Sequence, residues 1–201
     1  MKLLLTSGGL TNQKIKHHFL KLVDKPIPKI KVIFIPTASS RTTEELEYVK
    51  QSKRELLDLG INPKNIITLH LDKPVSYLTI KDGDVMYVCG GNTFYLLDRI
   101  RKTSFDKTIK KFINDGKLYL GVSAGSIIVG PDISIALPYD ENDVKMIDFS
   151  GLKIIDRIIH AHYLQAEREF VTTFQKKIKF PVIPLTDQQA LIVIDEQEEI
   201  I

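Results

Sequence analysis

The chain has 201 residues, of which 43% are hydrophobic and 26% charged, as in globular proteins with a sizeable core. Its formal net charge is only +3, from 28 Lys and Arg against 25 Asp and Glu, which favours neither a nucleic-acid nor a membrane partner. The single cysteine, Cys89, excludes an internal disulfide, and no apolar run approaches the roughly 18 residues of a membrane helix. The chain starts with only three consecutive leucines, too few for a signal-peptide core. We therefore expect one cytoplasmic domain spanning residues 1–201.

Strand and helix patterns alternate through the first two thirds of the chain. Short apolar runs predict strands at residues 2–6, 30–35, 65–71, 84–89 and 118–122. Helical spacing predicts helices at residues 11–23, 42–59, 92–102 and 104–115. The second of these helices begins with a predicted capping box of Thr42 and Glu45, and its predicted inward face carries Leu46, Val49, Leu56 and Leu57.

The last third of the chain is less regular. Residues 133–137 and 151–155 fit short strands or bends, and the polar residues 138–148 fit a surface loop. An apolar segment with two histidines, 157–163, precedes a predicted helix at 165–179 and predicted strands at 181–185 and 190–194. A turn at 195–198 leads into a last predicted strand at the chain end.

Alternating strands and helices predict a three-layer α/β/α sandwich with a mostly parallel central sheet. Sites in such sheets lie beyond the carboxyl ends of the strands. Four loops are predicted there: residues 7–9, 37–41, 90–93 and 121–125.

The last of these loops, Gly121-Val122-Ser123-Ala124-Gly125, has the G-x-S-x-G pattern of a nucleophile elbow. The pattern also arises by chance, but here a buried strand precedes it and an apolar helix is expected after it. Such a turn exposes the serine hydroxyl at the end of the sheet. It also directs the N–H of Ala124 and the following helix N-terminus towards the same point, where an oxyanion would be stabilised.

A serine nucleophile needs a base, and the base needs an acid that orients it. His17 and His18 lie on the first helix, and His70 is expected within a strand, which leaves His160 and His162. These two alternate, so an extended segment would place them on the same side, and the residues alone do not choose between them. Among the acids Asp187 is favoured because it follows a predicted strand end. Its rivals lie mostly in polar surface sequence, and they are Asp132, Asp140, Asp143, Asp148 and Asp156.

The order Ser123, His162, Asp187 differs from the Ser–Asp–His order of α/β-hydrolases. Instead, Cys89-Gly90-Gly91-Asn92-Thr93-Phe94 followed by the elbow at residues 121–125 resembles the dipeptidase E (aspartyl dipeptidase) family of serine peptidases, whose relatives include cyanophycinases. The resemblance extends over nearly the whole chain. It implies a fold like that of class I glutamine amidotransferases, which is flavodoxin-like.

The resemblance also assigns roles to individual residues. It implies Ser123 as nucleophile, and the backbone N–H groups of Gly91 and Ala124 as oxyanion donors. It favours His162 over His160 as base, because Ala161-His162-Tyr163 matches the histidine segment of the family. Asp187 matches the position of a family glutamate. Asn92 and Arg168 are the implied substrate-binding residues, with Arg168 receiving an aspartyl carboxylate of the substrate.

These observations predict a serine peptidase that acts through an acyl-enzyme on small peptides with N-terminal aspartate. A cyanophycinase-like or other β-aspartyl peptide hydrolase is one alternative, and a non-catalytic small-ligand binding module on the same fold is another. We expect no cofactor and no metal, because no His/Cys/Asp cluster has ligand spacing and Gly8-Gly9 lacks the lysine of a phosphate loop. The expected partner is a small peptide, with no nucleic acid and no membrane, and the expected state is a monomer or small homo-oligomer.

Overall fold

The computed structural model describes residues 1–39 and 43–201, with the backbone alone for residues 43–45. Its strands are β1 Lys2–Thr6, β2 Val32–Ile35, β3 Ile66–Thr68, β4 Val85–Val88, β5 Leu118–Val122, β6 Ile158–His160, β7 Val182–Pro184, β8 Ala190–Ile194 and β9 Gln197–Ile200. Its α-helices are α1 Gln13–Val23, α2 Thr43–Asp58, α3 Tyr77–Ile80, α4 Thr93–Lys102, α5 Phe105–Asn114, α6 Ala124–Ile127 and α7 Arg168–Lys177. Within these described ranges, no helix has the length and apolar character needed to cross a bilayer.

Seven strands form the central sheet in the order β3-β2-β4-β5-β1-β8-β9. The five strands from β3 to β1 are parallel, and β8 and β9 extend the sheet with antiparallel pairing. Strands β6 and β7 form a separate two-stranded parallel sheet. The predicted α/β class and mostly parallel sheet are therefore confirmed.

Alternation along the strands divides the core between the two faces of the sheet. Leu4 of β1 and Tyr87 of β4 pack with helices α1 and α2, whereas Leu3 and Met86 pack with α4 and α5 on the opposite face. Every residue of β2 and β4 is buried, because helices cover both faces. These two layers of helices around the sheet make the predicted three-layer sandwich.

Several predicted elements differ in detail. The helix after the elbow is a single turn, and the helix predicted at 165–179 begins as a 3-10 turn before α7. Of the two segments predicted as short strands or bends, 133–137 contains the 3-10 helix Ser134–Ala136, and 151–155 contains bends from residue 154 and no strand. The inward face predicted for α2 is wrong at Leu46 and Leu57, which are 45% and 41% exposed, whereas Leu56 is buried. The capping box of Thr42 and Glu45 lies outside the residues whose side chains the structure describes. Helix α3 was not predicted from the sequence.

Candidate active site

In the turn between β5 and α6, Ser123 has a backbone conformation that few residues other than glycine adopt. Ser123 has φ 48° and ψ −110°, close to the first central position of a type II′ turn, which glycine dominates. Its N–H donates to Thr6 O of the neighbouring strand at 3.0 Å. Gly125 is required here, since a Cβ atom on it would lie 2.3 Å from Val88 O. The tight turn places the Ser123 side chain in the cleft beyond the strand ends.

The side chains predicted as nucleophile, base and acid lie in one hydrogen-bonded row. His162 Nε2 is 2.9 Å from Ser123 Oγ, and His162 Nδ1 is 2.7 Å from Asp187 Oδ1. Asp187 follows β7, as predicted, and the side chains of His162 and Asp187 are each 56% exposed. This is the arrangement in which an imidazole can take a proton from a serine hydroxyl while a carboxylate orients the ring.

The two histidines of the 157–163 segment do not face the same side, so that expectation is wrong. Strand β6 ends at His160, and His162 has a left-handed φ of 57°, which breaks the alternation. His160 is 2% exposed and its ring packs against Tyr139 and Phe170. The backbone reversal therefore directs one histidine into the core and the other into the cleft.

His160 belongs to a second polar cluster beneath the cleft wall. Its Nε2 lies 3.5 Å from Glu167 Oε2 without a hydrogen bond, and the Tyr139 hydroxyl donates to the same carboxylate. Burial lowers the pKa of His160, and the nearby Glu167 offsets part of that effect. Burial alone would raise the pKa of Glu167, but hydrogen bonds from Tyr139 and the Leu164 N–H lower it below the usual value. These two pKa shifts favour the uncharged form of His160 and the charged form of Glu167.

The predicted oxyanion donors lie on two different loops beside Ser123. Gly91 lines the same cleft as Ser123 and has φ 122°, and a Cβ atom on it would lie 2.2 Å from Ala38 O, so only glycine fits. Ala124 is the first residue of α6, where the N–H has no acceptor within the helix. The helix thus provides no acceptor for the Ala124 N–H, and Gly91 lines the cleft beside Ser123.

Asn92 lines the cleft, but its side chain is engaged within the protein. Its Oδ1 accepts from Tyr95 N at 2.8 Å and caps α4, and its Nδ2 donates to Glu141 O at 2.8 Å. The Asp140 carboxylate accepts from the backbone N–H of Thr93, the first residue of α4, at 2.8 Å. These bonds fix the 139–141 loop as a cleft wall, although the sequence favoured a solvated loop there.

Arg168 is not brought into the cleft. It begins α7 with an exposed side chain, and it is absent from the residues that line the cavity of about 900 Å³ around Ser123. The described lining of this cavity contains no Lys or Arg. It contains four carboxylates, which belong to Glu55, Asp140, Glu141 and Asp187. Burial raises the pKa of Glu55 above its usual value. The charge of this described lining does not favour an anionic side chain of the substrate.

Cys89 and His70, the remaining candidate residues, have surroundings that do not indicate a catalytic role. Cys89 is 2% exposed, and burial raises the pKa of its thiol, which disfavours the thiolate that a nucleophile needs. His70 lies after β3 with an exposed side chain, and not within the strand as predicted. Among the side chains that the structure describes, those of residues 1–39 and 46–201, no group of three or more His, Cys, Asp or Glu could hold a metal ion.

Sequence reasoning missed one residue at the centre of the site, Ser7. It follows β1, is fully buried, and contacts both His162 and Asp187. The sequence offered only its position at a strand end, in the predicted 7–9 loop.

Known proteins resemble this chain in sequence and in fold. The sequence model of peptidase family S51 matches residues 3–201. An uncharacterized peptidase of Listeria innocua is 34% identical over 176 residues, which cover 83% of this chain and 81% of the relative. Peptidase E of Shewanella denitrificans is 29% identical over 190 residues, which cover 92% of this chain and 77% of the relative. The crystal structure of a putative peptidase E protein from Listeria monocytogenes superimposes with a TM-score of 0.79 at 27% identity, covering 100% of this chain and 97% of that one.

Proposed function

The chain belongs to peptidase family S51, and from this premise we propose that it hydrolyses peptide bonds through an acyl-enzyme on Ser123, with His162 and Asp187 completing the triad. The observation that carries the proposal is the continuous row of contacts, 2.9 Å from Ser123 Oγ to His162 Nε2 and 2.7 Å from His162 Nδ1 to Asp187 Oδ1. The peptidase relatives support the same class of reaction.

In the proposed reaction the Ser123 oxygen attacks the scissile carbonyl while His162 Nε2 removes the hydroxyl proton. Asp187 accepts from Nδ1–H, which keeps the proton-free nitrogen directed at Ser123 and stabilises the imidazolium that forms. The N–H groups of Gly91 and Ala124 stabilise the tetrahedral oxyanion. His162 then protonates the leaving amine, and a water molecule, activated in the same way, releases the acyl group.

The proposed substrates are small peptides, because the cavity of about 900 Å³ is of the size that holds a small ligand and is bordered by α2 and the 139–141 loop. We do not extend the proposal to a preference for N-terminal aspartate. Arg168, which was expected to bind that carboxylate, is exposed outside the cleft, and the described lining is acidic.

A fluorophosphonate probe, which modifies activated serines, tests the proposed nucleophile. The wild-type protein should be labelled at Ser123, and Ser123→Ala should remain unlabelled. Ser126→Ala is the matched control, because Ser126 is fully buried and donates to Thr6 O at 2.8 Å. Labelling retained in Ser123→Ala, or absent from the wild type, would refute the mechanism. Hydrolysis of Asp-X and Ala-X dipeptides, compared side by side, then tests the substrate preference.

A further inference from the structure

We propose that Ser7 is a positioning residue that holds both the base and the acid of the site, an inference that rests on the triad proposed above. Ser7 Oγ donates to Asp187 Oδ1 at 2.8 Å and accepts from the backbone N–H of His162 at 2.7 Å. One hydroxyl therefore bonds to the main chain of the histidine and to the carboxylate that bonds to its ring.

The first of these bonds stabilises an unfavourable backbone. The φ of 57° at His162 is left-handed, a conformation that is unfavourable for a non-glycine residue. The same φ turns the imidazole away from the side occupied by His160. By accepting from the His162 N–H, Ser7 favours the conformation that directs the imidazole at Ser123.

The second bond fixes the acid. Asp187 Oδ1 accepts both from Ser7 and, in the proposed tautomer, from His162 Nδ1–H. The Asp187 side chain is 56% exposed, so water competes for its oxygens and the side chain would otherwise sample other rotamers. A fully buried hydroxyl at the end of β1 restricts the carboxylate to the rotamer that bonds to the imidazole.

The position of Ser7 links these groups to the nucleophile. The preceding residue, Thr6, accepts from Ser123 N–H at 3.0 Å through its carbonyl oxygen. Consecutive residues at one strand end thus hold the elbow and the acid–base pair. Loss of the Ser7 hydroxyl should loosen the alignment of His162 with Ser123 and leave the walls of the cleft unchanged, which predicts slower chemistry with unaltered binding.

The experiment measures inactivation of the purified full chain by a fluorophosphonate and separates the maximal rate, kinact, from the half-saturating concentration, KI. Ser7→Ala should lower kinact on the order of 10- to 100-fold, as expected for a lost hydrogen bond to a charged group, with KI within about twofold of wild type. Thr103→Ala, which removes a buried hydroxyl bonded to Arg99 O within α4 and contacts none of Ser123, His162 and Asp187, should keep the wild-type kinact.

A double-mutant cycle with Asp187→Ala separates positioning from a general effect on structure. In that background Ser7→Ala should lower kinact much less than in the wild type, because the carboxylate that it orients is gone. Equal effects in both backgrounds, or a wild-type kinact in Ser7→Ala, would refute the inference while Ser123 labelling continues to support the proposed function. If Ser7→Ala does not fold, Ser7→Cys, with its weaker donor, should lower kinact with KI unchanged; a wild-type kinact in that variant would also refute the inference.

Discussion

Replacement of Ser123 by glycine should stabilise the protein relative to replacement by alanine. At φ 48° and ψ −110° any Cβ is strained, and such conformations cost about 1–3 kcal/mol. Glycine removes this strain but loses about 0.5–1 kcal/mol through its more flexible unfolded chain. Both variants lack the hydroxyl that faces His162, so that contact cancels in the comparison. The balance favours Ser123→Gly by about 1 kcal/mol, which corresponds to a melting temperature about 2–4 °C higher for a chain of this size.

Calorimetric melting of the two variants, with Ser126→Gly and Ser126→Ala as the matched pair, provides the assay. Ser126 lies within the helical turn α6, where the order should invert and glycine should be the less stable by about 1 kcal/mol. If Ser123→Gly melts at or below Ser123→Ala, the elbow is not strained and the reasoning fails.

Two further predictions concern the histidines. His162→Ala should lower peptide turnover on the order of 10³-fold or more. Adding Ser123→Ala should cause little further loss, because triad members act as a unit. If the two losses multiply in steady-state assays, the two residues have independent roles. His160→Asn should retain most turnover. Because burial lowers the pKa of His160, the unfolded chain binds more protons below about pH 6.5, so the wild type should lose stability as pH falls through that value. Denaturant unfolding at several pH values should show a weaker decline for His160→Asn, and an identical decline would exclude His160 as its source.

Elements that depend on local pattern were predicted correctly from the amino-acid sequence. The apolar run of β5 and the small residues around Ser123 predicted strand, turn and nucleophile, because no larger residue fits where Gly125 approaches Val88 O. Alternating strands and helices predicted the class of fold, since the period of hydrophobic residues is itself the signal. Asp187 was also predicted from a strand end, because the site in such a sheet lies where strands finish.

Features that depend on backbone reversals, or on contacts between residues distant in the chain, could not be predicted from local patterns. The alternation of His160 and His162 predicted a shared side, but the left-handed φ of His162 separates them, and tertiary contacts such as that from Ser7 hold this conformation. Arg168 matched a family segment, yet its place at the start of α7 leaves it exposed. Ser7 has no local pattern that marks it, because its contacts join the end of β1 in the central sheet to residues that follow β6 and β7 of the separate sheet, which only the tertiary fold brings together.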